Sequence, residues 1–198
     1  HVKELKDLSH IGHVNLLKRD NYLEMDVHTI RNLELVETLR LKERKYSLIW
    51  LLDKTKTAMG ARCLKSWLMN PLKNKDEINK RYDYIESLNK NFLLREELRQ
   101  DLYEIYDLER LCGKVTCGSL NARDVLQIKN SIRVIPDINR ILNELEYGIH
   151  IEEHKELHDL LERAIYEEPP ISVKEGYLIK EGYNTELDEL KTIRSGGK

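Results

Sequence analysis

Four groups of residues carry types and spacings that could do chemistry. His10-Ile-Gly-His13 spells a four-letter motif that, at the mouth of a parallel sheet, sets two histidines on ATP phosphates. No βα alternation follows it and no lysine-rich loop accompanies it, so it reads as a chance match. His150, His154 and His158 recur every four residues, a spacing at which neighbours on one helix could share a Zn2+ ion. No cysteine or catalytic glutamate completes that set and its flanks are charged, which favours a solvated helix face. Cys112 and Cys117 are too far apart for the short spacings of zinc sites, and Cys112 follows the Leu108 stripe, which implies buried packing. Asp107-Leu-Glu-Arg110 and Arg62 set charges beside strongly apolar stripes. Buried or half-buried ion pairs that fix helix packing suit them better than catalysis, because no second reactive group accompanies them. A phosphate-binding G-x-x-x-x-G-K-[ST] loop does not occur: Gly113-Lys114 lacks the earlier glycine and the hydroxyl, and Gly197-Lys198 closes the sequence.

The elements that would position these residues are helices. Tyr22-Leu-Glu-Met25 has the look of a short strand. Asp26 and Thr29 offer N-cap chemistry for a helix carrying Leu33, Leu35 and Val36, ended by an exposed basic loop at Arg40-Leu-Lys-Glu-Arg-Lys45. Ser47 can cap a short apolar helix through Leu52. Thr57 can cap another with Ala61, Leu64, Trp67 and Leu68 inward, closed by Pro71. From Asp76, Ile78, Tyr82 and Ile85 share one face; Leu94, Leu98, Leu102 and Ile105 share the next. Asn121 with Asp124 resembles a capping box ahead of Val125, Ile128, Ile132 and Ile135. Pro136 interrupts that run. Ile138, Ile141, Leu142 and Leu145 form the following stripe, and Leu157, Leu160, Leu161, Ala164 and Ile165 the one after. Glu167-Glu-Pro-Pro170 must stop helix formation, since neither Pro169 nor Pro170 has an N–H to donate. Ile171-Ser-Val and Tyr177-Leu-Ile flank Lys-Glu-Gly176 as a small β-hairpin, and Thr185 with Asp188 can cap a last helix. The expectation is a predominantly all-α fold, an irregular helical bundle with one β-hairpin near residues 171–180.

Composition narrows the function. Hydrophobic residues make up 40% and charged residues 34% of 198, enough for one ordinary core with much solvated surface. Net charge is -2, whereas a domain that grips DNA by itself carries a clear positive excess. Residues 1–80 hold 16 basic against 11 acidic side chains and residues 81–198 hold 17 against 24, so any nucleic-acid-facing surface belongs to the first stretch. No run of 18 apolar residues is present to span a membrane. His1-Val-Lys-Glu4 resembles no signal peptide and reads as a cut inside a longer protein. Three cysteines without an export signal fit a reduced, cytoplasmic compartment.

Several blocks together resemble one family. Met25-Asp-Val-His-Thr-Ile-Arg-Asn-Leu-Glu-Leu35 looks like the opening of the MutS core domain. Ser47-Leu-Ile-Trp-Leu-Leu-Asp-Lys-Thr-Lys-Thr-Ala-Met-Gly-Ala-Arg-Cys-Leu-Lys-Ser-Trp-Leu68, with Pro71-Leu72, is similar to its next signature. Asp107-Leu-Glu-Arg-Leu111, Asn121-Ala-Arg-Asp124, Glu168-Pro-Pro170 and Gly182-Tyr-Asn-Thr-Glu-Leu-Asp-Glu-Leu190 match further blocks in family order. The resemblance implies a connector-to-core passage over residues 1–25 and the first half of the core over 26–198, ending before a clamp insertion. The residues themselves make Arg62, Asp107, Glu109, Arg110, Asn121, Asp124, Pro169 and Pro170 the structural candidates, with no catalytic, cofactor or metal site expected in this piece. The resemblance also implies a longer bacterial, nucleoid-associated protein that uses ATP and Mg2+, binds mismatched double-stranded DNA as a homodimer and recruits a MutL-type partner. In that frame the present helices couple an ATPase to a DNA clamp. A paralogue acting in recombination and a helical protein-binding scaffold are the alternative readings.

Overall fold

The structure, a computed structural model, describes residues 21–170 and 175–196, with side chains through Ile193. His10 and His13, most of the 1–25 passage and the Ile171-Ser-Val arm of the expected hairpin lie outside the described residues. Ten α-helices occur among the described residues: α1 Val27–Asn32, α2 Leu48–Leu52, α3 Ala58–Met69, α4 Lys75–Lys90, α5 Phe92–Tyr103, α6 Leu108–Thr116, α7 Ala122–Arg133, α8 Ile135–Glu144, α9 Lys155–Ala164 and α10 Thr185–Gly196. Extended pairing among these residues is limited to two antiparallel bridges, Tyr22 with Leu72 and Ile165 with Ile179. The architecture is all-α, as the periodicity predicts.

Short polar side chains start most of the helices by accepting the N–H groups that the first turn leaves unpaired. The Asp26 carboxylate accepts from Thr29 N–H at 2.6 Å, Ser47 Oγ from Trp50 N–H at 3.4 Å and Thr57 Oγ1 from Gly60 N–H at 2.9 Å. One cap, at α10, differs from the sequence reading, and α4 starts just before the Asp76 from which its apolar face is read. Asn74 opens α4, accepting from the N–H groups of Asp76 and Glu77. Asn184, not Thr185, opens α10, accepting from Leu187 N–H at 2.9 Å; Asp188 instead accepts from Gly182 N–H at 2.7 Å.

The chain divides into two compact units, residues 1–95 and 96–198. In the first, α1 ends at Asn32 and does not carry Leu35 or Val36 as expected. Glu34 adopts a left-handed conformation with φ of 48°, and its carboxylate accepts from Leu39 N–H, so the chain turns out of the helix. Leu35 is buried all the same, its carbonyl accepting from Ile49 N–H at 2.9 Å. The strand-like Tyr22-Leu23 pairs beside Pro71: Leu23 N–H donates to Pro71 O at 2.8 Å and Lys73 N–H to Asn21 O at 2.9 Å. Ala61, Leu64 and Leu68 of α3 are half-buried as expected, but Trp67 is 47% exposed. Its ring lies 3.6 Å from the Arg81 guanidinium carbon. That stack turns Ile78, Arg81, Tyr84 and Leu88 of α4 inward and leaves Tyr82 and Ile85 exposed, against the sequence reading.

The second unit holds the better-packed core. Val134, Ile138 and Leu142 are buried against Leu98 and Leu102 of α5, Ile105 and Tyr147. Ile132, Ile135, Ile141 and Leu145 are buried too, so α7 and α8 present the stripes read from the sequence. Burying each such side chain stabilises by roughly 1.5–3 kcal/mol. Pro136 sits in the first turn of α8, where its missing N–H costs nothing, and so separates α8 from α7. After α9, Ile165 turns extended: Tyr166 N–H donates to Leu178 O at 3.2 Å and Lys180 N–H to Ala164 O at 2.8 Å. Among the described residues, the Tyr177-Leu-Ile arm therefore pairs with Ile165.

Candidate functional site

The charged side chains that this fold gathers are concentrated at helix junctions of the second unit. At the start of α7, Asn121 and Asp124 form a complete capping box. Asn121 Oδ1 accepts from Asp124 N–H at 2.9 Å and Asp124 Oδ2 accepts from Asn121 N–H at 3.1 Å. Lys114 of α6 adds its ammonium to both Asp124 oxygens at 2.7 and 2.8 Å. Asp124 is thereby bound to α6 as well as to its own helix. The Lys114 ammonium, helped by the Asn121 N–H, holds the Asp124 carboxyl below the ordinary carboxylate range, against the opposing effect of burial.

A second junction joins α7 to α9. Lys129, only 7% exposed, places Nζ 2.7 Å from Glu162 Oε2. Lys180 Nζ donates to the Glu162 carbonyl at 2.7 Å and lies 3.6 Å from Glu162 Oε1. The Lys129 ammonium, with Lys180 beside it, lowers the Glu162 pKa. Two neutral clamps complete the set. Ser131 Oγ donates to Gln127 O at 2.8 Å and accepts from Tyr106 N–H at 3.0 Å. Buried Asn139 closes a two-bond ring on Ile151, its amide donating at 2.7 Å and its carbonyl accepting at 2.9 Å. Between α5 and α8 the charges are less balanced. Arg140 meets Glu97 at 2.6 Å and Glu144 at 2.9 Å, while Asp101 Oδ2 is buried without a partner. Burial, then the nearby Asp137 and Glu97 carboxylates, raise the Asp101 pKa.

The structural residues singled out in the sequence are scattered across this scheme. Asn121 and Asp124 are its centre. Asp107 is half-buried and opens α6 by accepting from Arg110 N–H at 3.2 Å. Arg62, Glu109 and Arg110 are exposed, so the expected burial or half-burial of these charges does not hold at those three positions. The half-buried pairing belongs to Lys129–Glu162 and Lys114–Asp124, which sequence reasoning missed. Pro169 is buried and Pro170 half-buried, and Pro169 O accepts from Arg123 Nε at 3.4 Å. A solvent-open depression of about 630 Å³ lies beside them, edged by Arg123, Leu126, Glu168 and Tyr177.

The remaining candidates are not brought together as sites. His154 has φ of 47° and sits ahead of α9, so His150 and His154 precede the helix and the three histidines do not form one helical series. No group of three His, Cys, Asp or Glu side chains among the described residues is placed to hold a metal ion. Cys112 is exposed, a correction: Leu111 takes the buried position on α6, and one residue later on a helix is about 100° around it. Cys63 and Cys117 are exposed as well. The chemistry of the described network is therefore positional: apart from Asp101, its carboxylates pair with a Lys or Arg side chain or cap a helix.

Known proteins match nearly the whole chain. The family model for MutS domain III matches residues 28–195. A DNA mismatch repair protein MutS from Bacillus cytotoxicus is 47% identical over 98% of this chain and 22% of its own length. Proteins of the same name from Clostridium tetani and Staphylococcus aureus are 43% and 44% identical over all of this chain and 23% of theirs. The chain thus spans less than a quarter of these relatives' length. With its helical order, its capping box at Asn121 and its Pro169-Pro170 stop all inside the matched span, the chain belongs to the MutS domain III family.

Proposed function

We propose that this chain is the first half of the core of a DNA mismatch-recognition protein, and that its helices couple an ATPase to a DNA clamp carried elsewhere in the longer protein. The observation that carries the reading is the match to MutS domain III over 28–195 in a chain whose described polar groups brace helix junctions. Helices packed through a shared core move as units, so a displacement imposed on one end of α7 or α8 is passed on rather than absorbed. An ATPase and a clamp that both bias the same packed element are thereby coupled. The relatives' printed names favour mismatch repair over recombination or a protein-binding scaffold.

In this reading the longer protein is a cytoplasmic, nucleoid-associated homodimer. It binds mismatched double-stranded DNA, takes ATP and Mg2+ in another domain and recruits a MutL-type partner. This segment holds none of those ligands and is not an enzyme. Among its described residues no helix is long and apolar enough to cross a membrane. The test is DNA binding measured across a salt series, with matched and mismatched duplexes, for the 198-residue chain beside the longer protein. Weak, mismatch-indifferent binding by the chain and mismatch-selective binding by the longer protein are expected. Tight, mismatch-selective binding by the chain itself would contradict the modular reading.

A further inference from the structure

We infer that α9 is a detachable helix, held on α7 by a short apolar seam at Leu161 and Ala164 and the Lys129–Glu162 ion pair, and at its C-terminal end by backbone bonds to residues 178–180, and that it undocks while α7 and α8 stay folded. The contrast with α8 carries this. Ile135, Ile138, Ile141, Leu142 and Leu145 of the α8 segment are all buried, whereas Leu157 and Leu160 of α9 are exposed. The side chains that α9 turns inward are His158, Leu161, Glu162 and Ala164, with Ile165 just beyond, so two of the five are polar. His158 Nε2 is buried without a partner, so docking gains nothing from that nitrogen. Lys129 spans from α7 to Glu162 at 2.7 Å.

The two ends of α9 are secured differently. Its N-terminus follows His154 in the left-handed region and receives no side-chain cap. Its C-terminal end is bonded through the backbone to residues 178–180, and Lys180 Nζ donates to the Glu162 carbonyl. Opening therefore lifts the N-terminal turns between the Asn139 clamp on Ile151 and a hinge at Ile165. An apolar seam resists opening because the exposed surface regains nothing from water. An ion pair regains hydration, and Glu162 is already 46% exposed, so water and salt reach it. The opening of α9 consequently costs less than unfolding the unit. The inference rests on this packing and not on the coupling role proposed above.

Hydrogen exchange read by mass spectrometry on the 198-residue chain tests it. Backbone amides from Asp159 to Ala164 should exchange at least about tenfold faster than those from Ile138 to Leu142, as expected of a sub-global opening. Added 1 M NaCl and the Glu162→Gln variant should each quicken α9 further and leave α8 unchanged. The double variant Lys129→Met with Glu162→Leu should slow α9 below the unaltered chain and remove its salt response, because apolar contact then replaces the pair. A common exchange rate for α8 and α9 that shifts together in salt and in the variants would overturn the inference. So would a Glu162→Gln chain that cannot fold, since the pair would then support the whole unit; the salt series on the unaltered chain reads the same point independently.

Discussion

Replacing Asp124 by alanine removes the residue on which the α6–α7 junction turns. Asp124 is 6% exposed and accepts three hydrogen bonds, two from the Lys114 ammonium and one from Asn121 N–H. A charge-assisted bond contributes about 1.5–3 kcal/mol net and a cap about 1 kcal/mol. Lys114 keeps 29% of its side chain exposed and can return to water, which cancels part of that loss. The expected cost is about 3 kcal/mol, or roughly 6–12 °C in melting temperature for a chain of this size. Asp124→Asn keeps one acceptor oxygen but loses the charge and sets an NH2 donor against Lys114 or the Asn121 N–H, so at least about half that cost remains. The pH dependence follows from the direction of the shift. Asp124 has a lower pKa folded than unfolded, so its stabilisation is complete above the ordinary value of 3.8 and is lost as pH falls through the lower folded value. Urea unfolding from pH 7 to pH 3 is the assay. The gap between the parent chain and Asp124→Asn should be constant down to about pH 5 and close below about pH 4. A gap under about 1 kcal/mol at pH 7, or one that persists unchanged at pH 3, would refute the assigned role of the carboxylate.

Ser131→Ala should destabilise by about 0.5–1.5 kcal/mol in the same assay, because it removes the buried hydroxyl that accepts from the Tyr106 N–H. Asp101→Asn should raise the melting temperature at pH 7. The raised Asp101 pKa means that the protonated form favours folding, that this contribution is lost as pH rises, and that the advantage of Asn should vanish in acid. Asn139→Ala should cost about 2 kcal/mol and speed amide exchange at Ile151, whose N–H loses its acceptor, while exchange across α5 stays unaltered.

Local chemistry was legible in the sequence wherever it closes within one helical turn. Ser47, Thr57 and Asn121 each cap the helix that their spacing predicts, and Pro136 divides α7 from α8 where its missing N–H requires. Asn184 is not distinguished from Thr185 in the sequence because both offer cap chemistry at adjacent positions, and only backbone geometry decides between them. Leu33 and Leu35 suggest a longer α1, yet a left-handed Glu34 ends it and Leu35 is buried from the bend that follows. The polar network was hidden for a different reason. Lys129 and Glu162 are separated by 33 positions, and each alone reads as a solvated charge on an amphipathic helix. Their pairing is a product of how α9 returns to α7, which residue types do not encode. The Lys114 bond to Asp124 spans a tight turn in which Gly118, at φ of 64°, reverses the chain. That turn could have suggested the contact.

The most direct measurement of the coupling role is made on the longer protein carrying Ile132→Ala. Ile132 is 5% exposed in α7, and its truncation should loosen the packed helices by roughly 2–5 kcal/mol. Mismatch binding, ATP hydrolysis and ATP-driven release into sliding would be followed in parallel on end-blocked duplexes. Retained mismatch binding and hydrolysis with impaired ATP-driven sliding is the predicted outcome. Sliding at the parent rate, in a variant shown by unfolding to have lost the expected stability, would contradict a core that transmits between the two machines.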